Sequence, residues 1–139
     1  SKIDDNTKKL ASQKEQYEGA KNDFLASAKS FMTNNDDLVY TDLTHWLLAK
    51  YYVDIAGDNE KSRNQNYQLA TNQLSSVYNS KKSVYGIRQI SRLRAASIMI
   101  QLKEYDKALA LLNMKEDKLD SFSHLTSAYI NHIKQLKKI

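Results

Sequence analysis

A chain of 139 residues with a 41% apolar and a 27% charged fraction can bury one modest core. It has no cysteine, which excludes disulfides, a thiol nucleophile and cysteine-ligated metal, and no proline with only three glycines, which argues against turn-rich β architectures. The net charge of +5 is uneven: residues 1–60 carry −4 and residues 61–139 carry +9, a pattern that fits a lysine-rich solvated surface or an anionic partner.

The elements read as helices throughout. Leu10, Tyr17, Phe24 and Phe31 recur every seven residues, with Ala20 and Ala28 between them, and predict a long first helix over about 5–34. Asn34-Asn35-Asp36-Asp37 breaks it and supplies short capping side chains to the next helix. That second helix, about 38–56, offers a broad apolar face of Val39, Leu43, Trp46, Leu47, Val53 and Ile55, with Ala49 as a small contact point. Gly57-Asp58 stops it and residues 57–64 read as a polar loop. A third helix, about 65–79, carries Tyr67, Ala70, Leu74, Val77 and Tyr78 on one side. A fourth, about 84–102, is apolar nearly all round between Ile87 and Leu102 and should be the most buried. A fifth, about 104–114, shows Tyr105, Ala108, Leu109 and Leu112; a sixth, about 120–137, shows Phe122, Leu125, Tyr129, Ile133 and Leu136. Helices of this length joined by short polar turns pack as neighbouring hairpins.

Internal repetition separates a bundle from stacked hairpins. Aligning Ala49 with Ala96 brings Leu48 onto Ala95, Tyr52 onto Met99 and Ile55 onto Leu102. Tyr67, Ala70 and Leu74 likewise match Tyr105, Ala108 and Leu112. The two alignments differ by nine residues, expected as an insertion in the loop after Gly57. The small residues let helices cross closely, the aromatic closes the hairpin end, and each hairpin leaves an apolar face for its neighbour to cover.

The stretch 90–112, ISRLRAASIMIQLKEYDKALALL, resembles a tetratricopeptide repeat. Four segments in order, 39–59, 69–78, 91–113 and 121–133, resemble more closely the YfgM-like proteins, a family of membrane-anchored bacterial proteins with a periplasmic tetratricopeptide-like domain. Arg92-Leu93-Arg94-Ala95 followed by Tyr105-Asp106-Lys107-Ala108-Leu109 is the most specific part. Two departures stand out: Lys103 occupies the place of a turn glycine, and Ser127-Ala128 that of a Gly-Asp pair. The resemblance implies an all-α fold of tetratricopeptide-like stacked helical hairpins, about six helices with a long N-terminal helix. It divides a single domain, 1–139, into an N-terminal helix (1–34), a first hairpin (38–79), a second hairpin (84–114) and a C-terminal helix (120–137). It also implies a periplasmic accessory of the Sec translocon, held at the inner membrane by an anchor upstream of Ser1, which assists newly exported proteins together with a PpiD-like chaperone.

The residues point away from catalysis. His45, His124 and His132 include no His-x-x-x-His pair, so surface or boundary roles are expected of them and no metal or cofactor. Gly-rich phosphate loops and a nucleophile elbow are missing from the sequence. Asp36-Asp37 and Glu116-Asp117 read as helix-terminus charges. Arg88 and Arg92, one turn apart with Lys81 and Lys82 nearby, could bind phosphate, which keeps nucleic acid as a rival partner and anionic lipid as another. The plainer role for Arg92 and Arg94 is pairing with helix-end carboxylates such as Asp106. Most of the tyrosines read as core or hairpin-closing.

Polypeptide is the expected partner. Stacked hairpins build a concave surface from their first helices. By that logic Trp46, Lys50 and Asp54 line it from the first repeat, and Leu93, Ser97 and Gln101 from the second. Trp46 is the best single anchor, since tryptophan is enriched at binding hot spots, and it reads equally as a core residue. A generic cytosolic tetratricopeptide scaffold is the alternative to the translocon accessory.

Overall fold

Ser1 opens the first helix with its side chain. Its hydroxyl accepts the Asp4 backbone N–H at 3.2 Å, so α1 (Lys2–Asn34) starts three residues before the point where the apolar pattern predicted it. The computed structural model describes residues 1–34, 37–114 and 123–138. Five further helices follow: α2 (Leu38–Asp54), α3 (Glu60–Tyr78), α4 (Tyr85–Gln101), α5 (Tyr105–Leu112) and α6 (Ser123–Lys137). No strand occurs among the described residues. The expected Phe122, Asn35, Asp36 and Glu116-Asp117 lie outside them.

The chain divides into two compact units, Ser1–Asp37 and Leu38–Ile139. The first is α1, whose seven-residue stripe stays largely in solvent: Leu10 is 66% and Tyr17 53% exposed. In the second, α2 packs on α3, α3 on α4 and α4 on α5, with α6 against α5 and α4. These are the stacked hairpins that the repeat implied.

Small residues sit where helices cross. Ala49, Ala70, Ala96 and Ala108 are all buried, and the matched leucines Leu74 and Leu112 are buried beside them. Each buried leucine contributes on the order of 1.5–3 kcal/mol by leaving water, and the alanines permit that contact by keeping the helix axes close. Tyr67 and Tyr105, the hairpin-closing pair, are both half-buried. Helix α4 holds the longest set of buried residues, as its composition predicts, yet that set includes the polar Gln89, Ser91 and Arg92.

Two expectations change. The nine extra residues of the first hairpin are mostly helix. Asn59 caps α3 by accepting the Ser62 N–H at 3.0 Å, so the helix begins at Glu60 and Tyr67 lies two turns inside it. Tyr105, by contrast, is the first residue of α5. The polar letters of 60–66 carry no apolar period, and a cap alone starts this helix. The second change concerns α2. Its buried positions are Asp42, Leu48 and Ala49, whereas Val39, Leu43 and Leu47 are exposed. Asp42 is tolerated inside because the Ser83 hydroxyl donates to its carboxylate at 3.1 Å.

Lys103 performs the backbone task of the missing glycine. It adopts φ 60, the left-handed region. Its N–H donates to the Ile100 carbonyl at 3.0 Å and the Glu104 N–H to the Met99 carbonyl at 2.9 Å, which is the paired closure of a Schellman turn. This closure turns the chain from α4 into α5 within three residues.

Candidate functional site

The first helices of the two hairpins, α2 and α4, flank a groove of about 330 Å³. Ala49, Lys50 and Val53 face it from α2, and Arg94, Ser97, Ile98 and Gln101 from α4. The α4 set follows i, i+3, i+4, i+7 spacing, which lays four side chains along one helical stripe. Leu74 of α3 contributes to the floor and Tyr129 of α6 also lines the groove. The lining is therefore aliphatic below, with two cations, an amide, a hydroxyl and a phenol around it. That mixture suits an apolar side chain whose peptide groups or carboxylates meet the rim.

Trp46 is held beside the groove. Its indole N–H donates to the Ser91 hydroxyl at 2.7 Å, and that hydroxyl donates to the Ile87 carbonyl at 2.8 Å. The Arg94 guanidinium lies 5.0 Å from the ring centroid, within cation–π range. The indole is thus half-buried with its polar group satisfied, and the Arg94 guanidinium rests on its face. Lys50 pairs with Asp54 one turn on, with both side chains more than half exposed. An exposed pair of this kind is worth only a few tenths of a kcal/mol, so a partner's carboxylate can exchange into it.

Of the six residues placed on this surface from sequence, Lys50, Ser97 and Gln101 line the groove, while Trp46 and Asp54 buttress it through Arg94 and Lys50. Leu93 does not reach it. It is 6% exposed and belongs to the core, because α3 and α5 pack against α4 on that side. Sequence reasoning passed over Arg94, Val53, Leu74, Ile98 and Tyr129. The register of Arg94 with Ser97 and Gln101 was the available signal. Tyr129 had none, since its approach depends on how α6 returns.

The arginine pairings also differ from expectation. Asp106 pairs with Lys137 at 2.6 Å, not with Arg92 or Arg94. Arg88 donates to the Lys81 carbonyl at 3.0 Å and lies over the Tyr85 ring, while Arg92 is buried. The pair is therefore spent on a helix end and on the core, and presents no open phosphate-binding row. Burial pushes the Tyr78 phenol up from its ordinary value, and the charge of Arg92 partly counters it. His45 shares its Nδ1 with the Gln73 side chain at 2.8 Å, and His124 and His132 are exposed on α6. Among the described residues no group of His, Asp and Glu is gathered as a metal site.

A family model described as a tetratricopeptide repeat-like domain matches residues 6–127. No curated protein and no solved structure matches the chain.

Proposed function

Since the chain belongs to the tetratricopeptide repeat-like family, whose domains generally act as non-catalytic protein-interaction scaffolds, we propose that it binds polypeptide along the groove between α2 and α4. The observation that carries this reading is Arg94: a guanidinium held on Trp46, facing an aliphatic floor and without a carboxylate partner among the described residues. A bound segment would seat an apolar side chain on Val53, Leu74 and Ile98 and offer a carbonyl or carboxylate to Arg94 and Lys50.

The finer reading is a periplasmic accessory of the Sec translocon that assists newly exported proteins beside a PpiD-like chaperone. Its support is the four YfgM-like segments between residues 39 and 133. None of the described helices is long and apolar enough to cross a membrane.

A photo-reactive residue at Gln101, on the exposed rim, tests both levels in the native cell with the full-length protein. Crosslinks to polypeptide that vanish with Arg94→Glu support the groove. Translocon subunits, a PpiD-like chaperone or emerging envelope proteins among them support the compartment. Crosslinks confined to cytosolic proteins would overturn the compartment and leave a general scaffold, and crosslinks insensitive to Arg94→Glu would place the binding face elsewhere.

A further inference from the structure

A second concavity lies between α5 and α6, away from the α2–α4 groove. It is an open hollow of about 630 Å³ lined by Leu109 of α5 and by Asn131, Lys134, Gln135, Lys137 and Lys138. Residues 131, 134, 135 and 138 stand at i, i+3, i+4, i+7, so they form one stripe. The stripe's orientation is set from the opposite side of α6, where Ile133 is fully buried in the core. Lys137 bridges to Asp106 of α5 and holds the cleft together. Lys134 and Lys138 have no ion pair among the described residues. Helix α6, Ser123–Lys137, contains no acidic residue.

These charges exceed what the helix needs. The C-terminal end of a helix carries roughly half a negative charge, and one lysine in the last turn neutralises it. Lys137 is matched by Asp106, and the half charge of the helix end offsets only part of Lys134 and Lys138, which leaves roughly one and a half positive charges within one turn. Among the described residues every charged group that lines the cleft is cationic, and the two amides can donate as well as accept.

We propose that this α5–α6 cleft docks an acidic segment of a polypeptide partner. Carboxylates meet Lys134 and Lys138, the Asn131 and Gln135 amides pair with peptide groups, and Leu109 receives one apolar side chain. The lining argues for carboxylates over nucleic acid. It holds no arginine for bidentate phosphate contact and no aromatic ring on which a base could stack. The proposal goes beyond the α2–α4 groove and shares with it only the premise that the partner is polypeptide.

The test is fluorescence anisotropy on the full chain with a labelled Glu/Leu peptide and its Gln/Leu counterpart. The acidic peptide should bind more tightly by about threefold or more, and Lys134→Glu with Lys138→Glu should remove that preference, as expected for two exposed charge contacts. Binding should weaken as salt rises from about 50 to about 200 mM. Both lysines are exposed, and unchanged helical circular dichroism confirms that the double variant folds. The comparison is repeated in the Arg94→Glu background, where the groove has lost its own carboxylate contact and the preference supplied by Lys134 and Lys138 should remain, which separates the cleft from the groove. Equal affinity for both peptides, or an unchanged affinity in the double variant, would overturn the proposal. Tighter lysine-dependent binding of an oligonucleotide or of phosphatidylglycerol vesicles would overturn the choice of occupant.

Discussion

Replacing Lys103 with glycine should stabilise the protein. Lys103 sits at φ 60 in the closure of α4 and makes no ion pair among the described residues. The left-handed conformation costs an L-residue roughly 1–2 kcal/mol through the clash of its Cβ with the backbone. Glycine removes that cost but loses more chain entropy on folding, which returns about 0.5–1 kcal/mol. The net gain is about 0.5–1 kcal/mol. Unfolding entropy runs near 2.1 cal/mol/K per residue, so for the unit Leu38–Ile139, on the order of 100 residues, this corresponds to a rise in Tm of about 2–5 °C. Thermal and urea unfolding followed by circular dichroism measure it, and an unchanged urea m-value would confirm that the denatured state is comparable. Lys103→Ala keeps the Cβ and should gain almost nothing. A fall in Tm for Lys103→Gly, or an equal rise for Lys103→Ala, would refute the backbone argument and point to the lysine side chain instead.

Asn59→Ala removes the acceptor for the Ser62 N–H and should cost about 1 kcal/mol, with hydrogen exchange at residues 60–63 rising more than elsewhere; uniform exchange would contradict a local cap. Ala96→Leu forces a larger side chain into a fully buried crossing and should cost about 1–3 kcal/mol in urea unfolding, whereas a neutral result would mean that α4 can shift. The raised Tyr78 phenol predicts an alkaline effect. The group is neutral in both states below its unfolded pKa, near 10, so its contribution is intact there. That contribution falls as pH rises from there through the higher folded value, because the unfolded chain releases the proton first. Tyr78→Phe should flatten the decline in stability above about pH 10, and an identical pH profile in the variant would show that the phenol does not contribute.

Periodicity made most of the core legible. The Ala49–Ala96, Ala70–Ala108 and Leu74–Leu112 correspondences were readable from spacing, and every member is buried. So was the central place of α4, from its nearly continuous apolar run. The start of α3 was less visible, because its first turns are polar and only Asn59 marks them.

The sequence by itself determined where helices form and which small residues let them cross, since both depend on interactions within a few turns of chain. It could not decide which side of α2 faces inward. That choice put Asp42 inside with Ser83 and left Leu43 and Leu47 in solvent. Nor could it place Leu93 under α3 and α5, set Arg94 on Trp46 or bring Tyr129 of α6 to the groove. Each of these joins residues from helices distant in sequence. Their positions follow from how neighbouring hairpins exclude water together, which only the packed tertiary structure decides.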